Sequence, residues 1–418
     1  MNKFPSVTVN GRVYQSPRQA TVVICMDGSG PAYTEAAMAQ GAMPYLREAL
    51  PQGFQTLADC VIPSFTNPNN LSIMTGRPPE VHGISGNYFI DPQSGEAVMM
   101  NDPAYLRAET IFAAFSRIGL PVAIITAKDK LRRLLGHGME GGLCFSAEKA
   151  DQATLAENGI TKLLEIMGEP LPSVYSADLT TFTLRAGVKL LSGKFPGVPP
   201  PQLLYLSTTD YIQHKFAPGT AEANALYRDL DDALRAFDRL GACWVLTADH
   251  GMSAKSRDDG TPRVLYVQSL LDDVIGQGNA RVILPITDPY VVHHGALGSY
   301  ASIYVRDPDQ ARNIVSLLRE LPGMEWVGLK AEACRAFHLP ADRIGEVIAI
   351  SDSGTALGTR REDHDLSCLT VPLRSHGGLG EREIPLFSNR GLRGTPDFFP
   401  PMNYDAFFLA LNLLRTNI

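Results

Sequence analysis

No stretch of the sequence approaches the run of about 20 apolar residues that a membrane span requires. The first residues, Met1 to Gln19, alternate apolar with polar side chains and include Pro5, Gly11 and Pro17, so they lack the unbroken apolar core of a secretory signal. A cytoplasmic protein is expected. The cysteines at 25, 60, 144, 243, 334 and 368 contain no Cys-x-x-Cys pair. Several sit in apolar surroundings, such as Val23-Ile24-Cys25-Met26 and Ala242-Cys243-Trp244-Val245, and read as small buried hydrophobes rather than as disulfides or a thiolate metal site. Clusters of lysine and arginine are also missing. With a formal net charge of -7 and a pI near 5.7, the chain has no footprint for a nucleic-acid backbone, although a small anion can still bind locally. Internal repeats and low-complexity tracts are absent as well.

What remains is the composition of an ordinary enzyme: 418 residues, 44% hydrophobic and 19% charged, enough for a large core and a second module. Short apolar runs ending in polar residues (Thr21 to Met26, Val122 to Thr126, Leu203 to Ser207, Trp244 to Thr247) alternate with helical patterns. That alternation predicts an α/β fold with a mostly parallel central sheet flanked by helices. Between residues 256 and 368 the texture changes to strands at Val264 to Val267, Ala280 to Ile283, Ser302 to Val305 and Glu346 to Ile350, with a helix from Asp309 to Leu321. The expected organisation is a catalytic core over 1–255 and 369–418, closed by a terminal helix from Ala406 to Leu414, with an inserted α+β cap over 256–368.

Ligands of such sheets bind beyond the carboxyl ends of the strands, and the chemistry-bearing residues collect there. Asp27-Gly28 follows the first strand, with the glycine permitting a sharp exit. Asp210 and His214 follow another, four apart and so on one face of a helix. Asp249-His250-Gly251 ends a third, and His376 lies in the glycine-flanked loop Ser375-His376-Gly377-Gly378. Taken singly, each has a bland reading as a turn, a cap or a loop histidine. Together, Asp27, Asp210, His214, Asp249, His250 and His376 offer three carboxylates and three imidazoles, a donor set that suits zinc. It is the right size for two metals roughly 4 Å apart that clamp an in-line displacement at phosphorus. The nucleophile expected between them is Thr66, in Pro63-Ser64-Phe65-Thr66-Asn67-Pro68-Asn69-Asn70, a loop that opens a helix read as Asn69 to Met74.

Asp27-Gly28, Phe65-Thr66-Asn67-Pro68-Asn69, Thr75-Gly76-Arg77-Pro78-Pro79-Glu80-Val81-His82-Gly83-Ile84, Asp249-His250-Gly251 and His376-Gly377 together resemble the phosphodiesterase branch of the alkaline phosphatase superfamily. The resemblance implies that Asp210, His214 and His376 hold one zinc, while Asp27, Asp249, His250 and Thr66 hold the other. It also implies a phosphothreonine intermediate on Thr66 and a hydrogen bond from Asn87 to a phosphoryl oxygen. His82 falls outside the implied metal set, and His293-His294 reads as a surface pair in the cap. No Cys-x-Pro-Ser-Arg type run occurs, which disfavours the sulfatase branch.

Ala127-Lys128-Asp129-Lys130 bears on the substrate. If the strand stays extended there, Lys128 and Lys130 project from one face and can meet one anion together. A superfamily member that cleaves the C–P bond of a carboxylated phosphonate uses a lysine pair at the corresponding place to hold the carboxylate. The expected substrate is therefore a small anionic phosphonate carrying a carboxylate. The alternative is a nucleotide pyrophosphatase or phosphodiesterase that stacks a base on Phe65, Tyr88 or Phe89, and a non-catalytic phosphonate sensor is a third reading. A homodimer is compatible with the sequence.

Overall fold

The computed structural model describes residues 5–286, 297–367, 369–394, 396 and 398–416. Cys368 and the His293-His294 pair lie outside the described residues.

The central sheet has seven strands, in the order Phe54–Asp59, Glu383–Ser388, Cys243–Thr247, Thr21–Cys25, Leu203–Ser207, Val122–Thr126, Leu143–Ser146. The last five of these are parallel neighbours, and Glu383–Ser388 pairs antiparallel on both of its sides. The inner strands are buried on both faces, which is why they read as continuous apolar runs without alternation. Odd and even residues part company at the sheet. Val22, Ile24, Leu204, Leu206, Trp244 and Leu246 pack with the helices Asp178–Leu191 and Ala221–Arg239 on one face. Val23, Cys25, Tyr205 and Val245 pack with Thr66–Thr75, Ile111–Arg117 and Asp129–Leu135 on the other.

A second sheet has four antiparallel strands in the order Ala280–Ile283, Tyr300–Val305, Val347–Ser351, Met324–Leu329. Its apolar cluster takes in Ile62 and Phe65, so it packs directly on the loop that precedes Thr66.

Local boundaries depart from expectation in four places. The helix read as starting at Asn69 begins at Thr66 and runs to Thr75, so Thr66 lies within its first turn. The strand before Lys128 does not stay extended, because a helix starts at Asp129 and Lys128 is its N-cap. The helix read from Asp309 divides into a 3-10 turn, Pro308–Gln310, and an α-helix, Ala311–Arg319. The expected terminal helix Ala406 to Leu414 is a short α segment, Ala406–Phe408, that passes into a π-helical turn, Leu409–Leu413. Among the described residues no helix is long and apolar enough to cross a membrane.

Candidate metal and nucleophile site

The parallel strands place Asp27, Lys128, Asp210 and Asp249 just past their carboxyl ends, along one edge of the sheet. Gly28 makes the turn after Asp27 with φ of 69°, and a Cβ there would come within 2.8 Å of the Asp210 Cβ. The close approach of the two acidic loops thus requires a glycine. Gly377 does the same for the His376 loop: its φ is 121°, and a Cβ would lie 2.4 Å from the Phe65 ring.

The six sequence-predicted donors are all buried and come together. Asp210, His214 and His376 offer ligand atoms within 4.8 Å of one another, and so do Asp27, Asp210 and His250. Asp210 belongs to both groups. Its Oδ2 is 2.9 Å from His214 Nε2 and 3.6 Å from His376 Nε2. Asp27 Oδ1 is 3.3 Å from His250 Nε2. Asp249 sits beside them, its Oδ2 3.9 Å from His250 Nε2, and is already hydrogen-bonded. Its Oδ1 accepts from the Gly28 and His250 N–H groups at 3.2 and 3.1 Å, and its Oδ2 accepts from Asn70 at 3.1 Å.

The three histidines share one orientation device. Nδ1 of His214, His250 and His376 lies 2.9, 2.9 and 2.8 Å from the carbonyls of Arg374, Gly251 and Ser64 respectively. A carbonyl only accepts, so each Nδ1 carries a proton and each Nε2 is turned toward the cluster, where a metal can take the place of any second proton. Such carbonyl-oriented imidazoles are what metal binding needs.

The electrostatics point the same way. Burial holds the Asp27 carboxyl well above the usual carboxylate range, and the charges of Asp210 and Asp249 push it further. Neither Asp27 oxygen has a hydrogen-bond partner among the described residues. For Asp210, burial works against ionisation, but Lys128 and His214 outweigh it and hold the carboxyl well below its ordinary value. Burial also opposes charge on His250, yet Asp249 and Asp27 push that imidazole up to about 10. His376 moves well below its ordinary value, through burial and then the neighbouring His250. Three buried carboxylates this close together, with Asp27 met by ion-pair contacts from His250 and Lys128, make a site suited to a cation. The residues present fit a divalent metal held by oxygen and nitrogen donors.

Thr66 faces this cluster, with Oγ1 3.4 Å from His250 Nε2. Its position is held by two asparagines that the sequence reading took only as part of a helix start. Asn69 Nδ2 donates to the carbonyls of Val61, Pro63 and Phe65 at 3.2, 3.2 and 3.0 Å. Asn70 Nδ2 donates to the Thr66 carbonyl at 3.0 Å and to Asp249, while its Oδ1 accepts from Tyr205 and Ser207 at 2.8 Å each. Asn70 therefore joins the nucleophile's peptide to a cluster carboxylate. Asn70→Ala is expected to leave the buried Tyr205 and Ser207 hydroxyls without their acceptor and to cost about 1–3 kcal/mol, read as a lower urea midpoint of metal-free protein. Unchanged stability together with unchanged turnover would remove Asn70 from this role.

Lys128 reaches the cluster itself, with Nζ 3.4 Å from Asp210 Oδ1 and 3.9 Å from Asp27 Oδ2. Lys130 lies apart and exposed, Nζ 3.9 Å from Met99 Sδ. The two lysines thus do not share one extended face, because Asp129 turns the chain into a helix between them. Asn87 is half-buried, and its backbone bonds to Pro285 and Met100. His82, left out of the metal set, is structural: Nδ1 accepts from the Ile84 N–H and Nε2 donates to Ser72. Burial, then Arg343, lowers its pKa to about 3. Phe65, a candidate base-stacking ring, is 1% exposed and packs edge-on against Tyr300 and His376, so it has no face left for a nucleoside.

Two crystal structures of a phosphonoacetate hydrolase from Sinorhizobium meliloti, one with phosphonoformate and one with phosphonoacetate, superpose on this chain with a TM-score of 0.93. They are 52% identical to it, covering 98% of this chain and 99% of theirs. A murine ectonucleotide pyrophosphatase/phosphodiesterase 5 shares the fold at 18% identity and a TM-score of 0.62, with 96% of this chain and 97% of that one covered. The family model for type I phosphodiesterase / nucleotide pyrophosphatase matches residues 21–379. With that match over most of its length, its α/β sheet and its edge of convergent acids and imidazoles, the chain belongs to the type I phosphodiesterase / nucleotide pyrophosphatase family of the alkaline phosphatase superfamily.

Proposed function

We propose that this protein hydrolyses the C–P bond of phosphonoacetate to acetate and phosphate. The observation that carries the reading is the 52% identity, over nearly the whole of both chains, to a phosphonoacetate hydrolase solved with that compound. The site is in keeping with it. Asp210, His214 and His376 would hold one zinc, and Asp27, Asp249 and His250 with Thr66 the other. When bound, the two ions supply Lewis acidity toward phosphoryl oxygens and ease the loss of the Thr66 proton.

The chain's own groups then account for the steps. Thr66 gives up its hydroxyl proton to water, and Oγ1 attacks phosphorus in line with the C–P bond, forming the P–O bond of a phosphothreonine. The C–P electron pair leaves with the methylene carbon and spreads into the carboxylate as an enediolate, which takes a proton from water to become acetate. Carbon is otherwise a poor leaving group, so the substrate carboxylate is part of the chemistry, and the ammonium group of Lys128 at the cluster, with that of Lys130 swung in from the surface on its flexible stem, stabilises charge as it builds there. Asn87 donates to a phosphoryl oxygen. Water then attacks the phosphothreonine, releasing phosphate and restoring the hydroxyl. Residues 256–368 act as a cap over this site, in keeping with the packing of the second sheet on Ile62 and Phe65. A cytoplasmic setting is in keeping with the free thiols at Cys25, Cys60, Cys144, Cys243 and Cys334.

The test compares zinc-loaded protein on two substrates, following acetate and phosphate from phosphonoacetate and the aryl alcohol from an aryl phosphodiester. Phosphonoacetate is expected to be strongly preferred. Lys128→Ala and Lys130→Ala are each expected to lower kcat/KM for phosphonoacetate by about 10–100-fold, the worth of one charged hydrogen bond, and to change diester cleavage far less. Cleavage of the diester without acetate formation sinks the substrate assignment. A double variant with full phosphonoacetate turnover sinks the lysine roles.

A further inference from the structure

Lys255 and Glu381 form an ion pair whose two side chains are both 0% exposed, with Nζ 2.9 Å from Oε1. The reaction outlined above does not use it. Lys255 also donates to Ser299 Oγ at 2.6 Å and to the Ser353 carbonyl at 2.8 Å. Both serines flank strands of the four-stranded sheet, Ser299 just before Tyr300–Val305 and Ser353 just after Val347–Ser351. Glu381 reaches the other way. Its Oε2 accepts from the Gly378 N–H at 3.0 Å, and its main-chain carbonyl accepts from the Gly251 N–H at 2.7 Å. Gly251 follows His250, and Gly378 is two residues beyond His376. Ser299 closes the circuit by donating its own N–H to the His376 carbonyl at 2.9 Å.

A buried ion pair is a weak way to stabilise a fold, because desolvating both charges offsets their attraction and apolar replacements are often neutral or better. What this pair supplies is geometry. His250 and His376 belong to different donor groups, yet their rings stack with centroids 3.6 Å apart at 8°. A short antiparallel ribbon joins the two loops, Ser253 opposite Ser375 and Ala254 opposite Arg374, and Lys255, the next residue, fastens that ribbon to the second sheet.

We propose that Lys255 and Glu381 are positioning residues that set the separation of His250 and His376, and thereby the affinity and spacing of the two metals, by tying both loops to the second sheet. The inference rests on the metal reading given above.

Cobalt(II) titration followed by d–d absorbance, zinc affinity by chelator competition, and unfolding of the metal-free protein test it together. Glu381→Gln is nearly isosteric and is expected to weaken metal binding by about 10–100-fold, as the loss of groups that orient ligands does. The double variant Lys255→Met, Glu381→Leu removes both charges. It is expected to recover the stability of the metal-free protein while metal binding stays weakened and the cobalt spectrum altered. Recovery of both stability and metal affinity in the double variant shows the pair to be structural only and overturns the inference. Wild-type affinity in Glu381→Gln overturns it without recourse to the double variant. Failure of the wild-type protein to take up metal overturns the metal reading itself, and this inference with it.

Discussion

Thr66→Ala is expected to abolish phosphonoacetate turnover while leaving the fold nearly unchanged and weakening metal uptake only modestly, because Asp27, Asp249 and His250 remain as donors. The separation of these effects follows from where Thr66 sits. It opens the helix Thr66–Thr75, whose N-cap is Phe65 with no side-chain cap bond, so the hydroxyl does not hold the helix together. Its Oγ1 instead meets His250 Nε2 at 3.4 Å, toward the acidic cluster. An alanine there removes one polar atom from a half-buried position, and stability should move by no more than about 0.5 kcal/mol. The rate should fall by about 10³-fold or more, the range in which removing a covalent nucleophile falls. Thr66→Ser should keep a measurable fraction of activity because the attacking oxygen remains. Acid quench followed by mass spectrometry should find phosphate on Thr66 in the wild type and none in the alanine variant. Turnover within tenfold of wild type would falsify the covalent route and leave Thr66 a mere helix residue.

Much of the site was legible because its signals are local. The inner strands are largely apolar and give way within three residues to a carboxylate, so Asp27, Asp210 and Asp249 announce their own place at the sheet edge. Glycines beside Asp27, His250 and His376 mark sharp turns where ligands converge, and the φ angles of Gly28 and Gly377 show two of those turns at work. The Asn70 side chain was not legible, because its meaning comes from Tyr205, Ser207 and Asp249, which no local pattern links to it. Lys255 and Glu381 are invisible in the sequence for the same reason, being 126 residues apart.

The lysine segment shows a subtler failure. An extended run through Ala127-Lys128-Asp129-Lys130 is locally reasonable, but tertiary contacts capture Asp129. Its backbone N–H donates to Glu148 at 2.7 Å, and its carboxylate accepts from Arg132 and Ser146 at 2.6 and 3.0 Å. Those bonds start a helix where the strand was expected to continue, carrying Lys128 to the acidic cluster and Lys130 to the surface. Helix ends are where such long-range contacts most easily override local preference.

Asp210 is where a single charge should matter most to metal content. It is the one residue shared by the two donor groups, with Oδ2 facing His214 and His376 and Oδ1 facing Lys128. Asp210→Asn keeps the shape and one carbonyl-type acceptor but removes the negative charge from both groups at once. On the two-metal reading proposed above, metal content after gel filtration is expected to fall by at least one ion per chain, and phosphonoacetate turnover by about 10³-fold or more, since a two-metal reaction that loses an ion loses the clamp on phosphorus. Asp249→Asn makes the useful contrast. Both Asp249 oxygens already accept hydrogen bonds, from Gly28, His250 and Asn70, and it stands outside both three-residue groups. Its replacement should therefore weaken one ion more than the other and leave partial occupancy. If Asp210→Asn retains its metal while Asp249→Asn loses it, Asp249 rather than Asp210 is the hub of the cluster, and the reading of Asp210 as a ligand of one ion whose charge also bears on the other group must be abandoned.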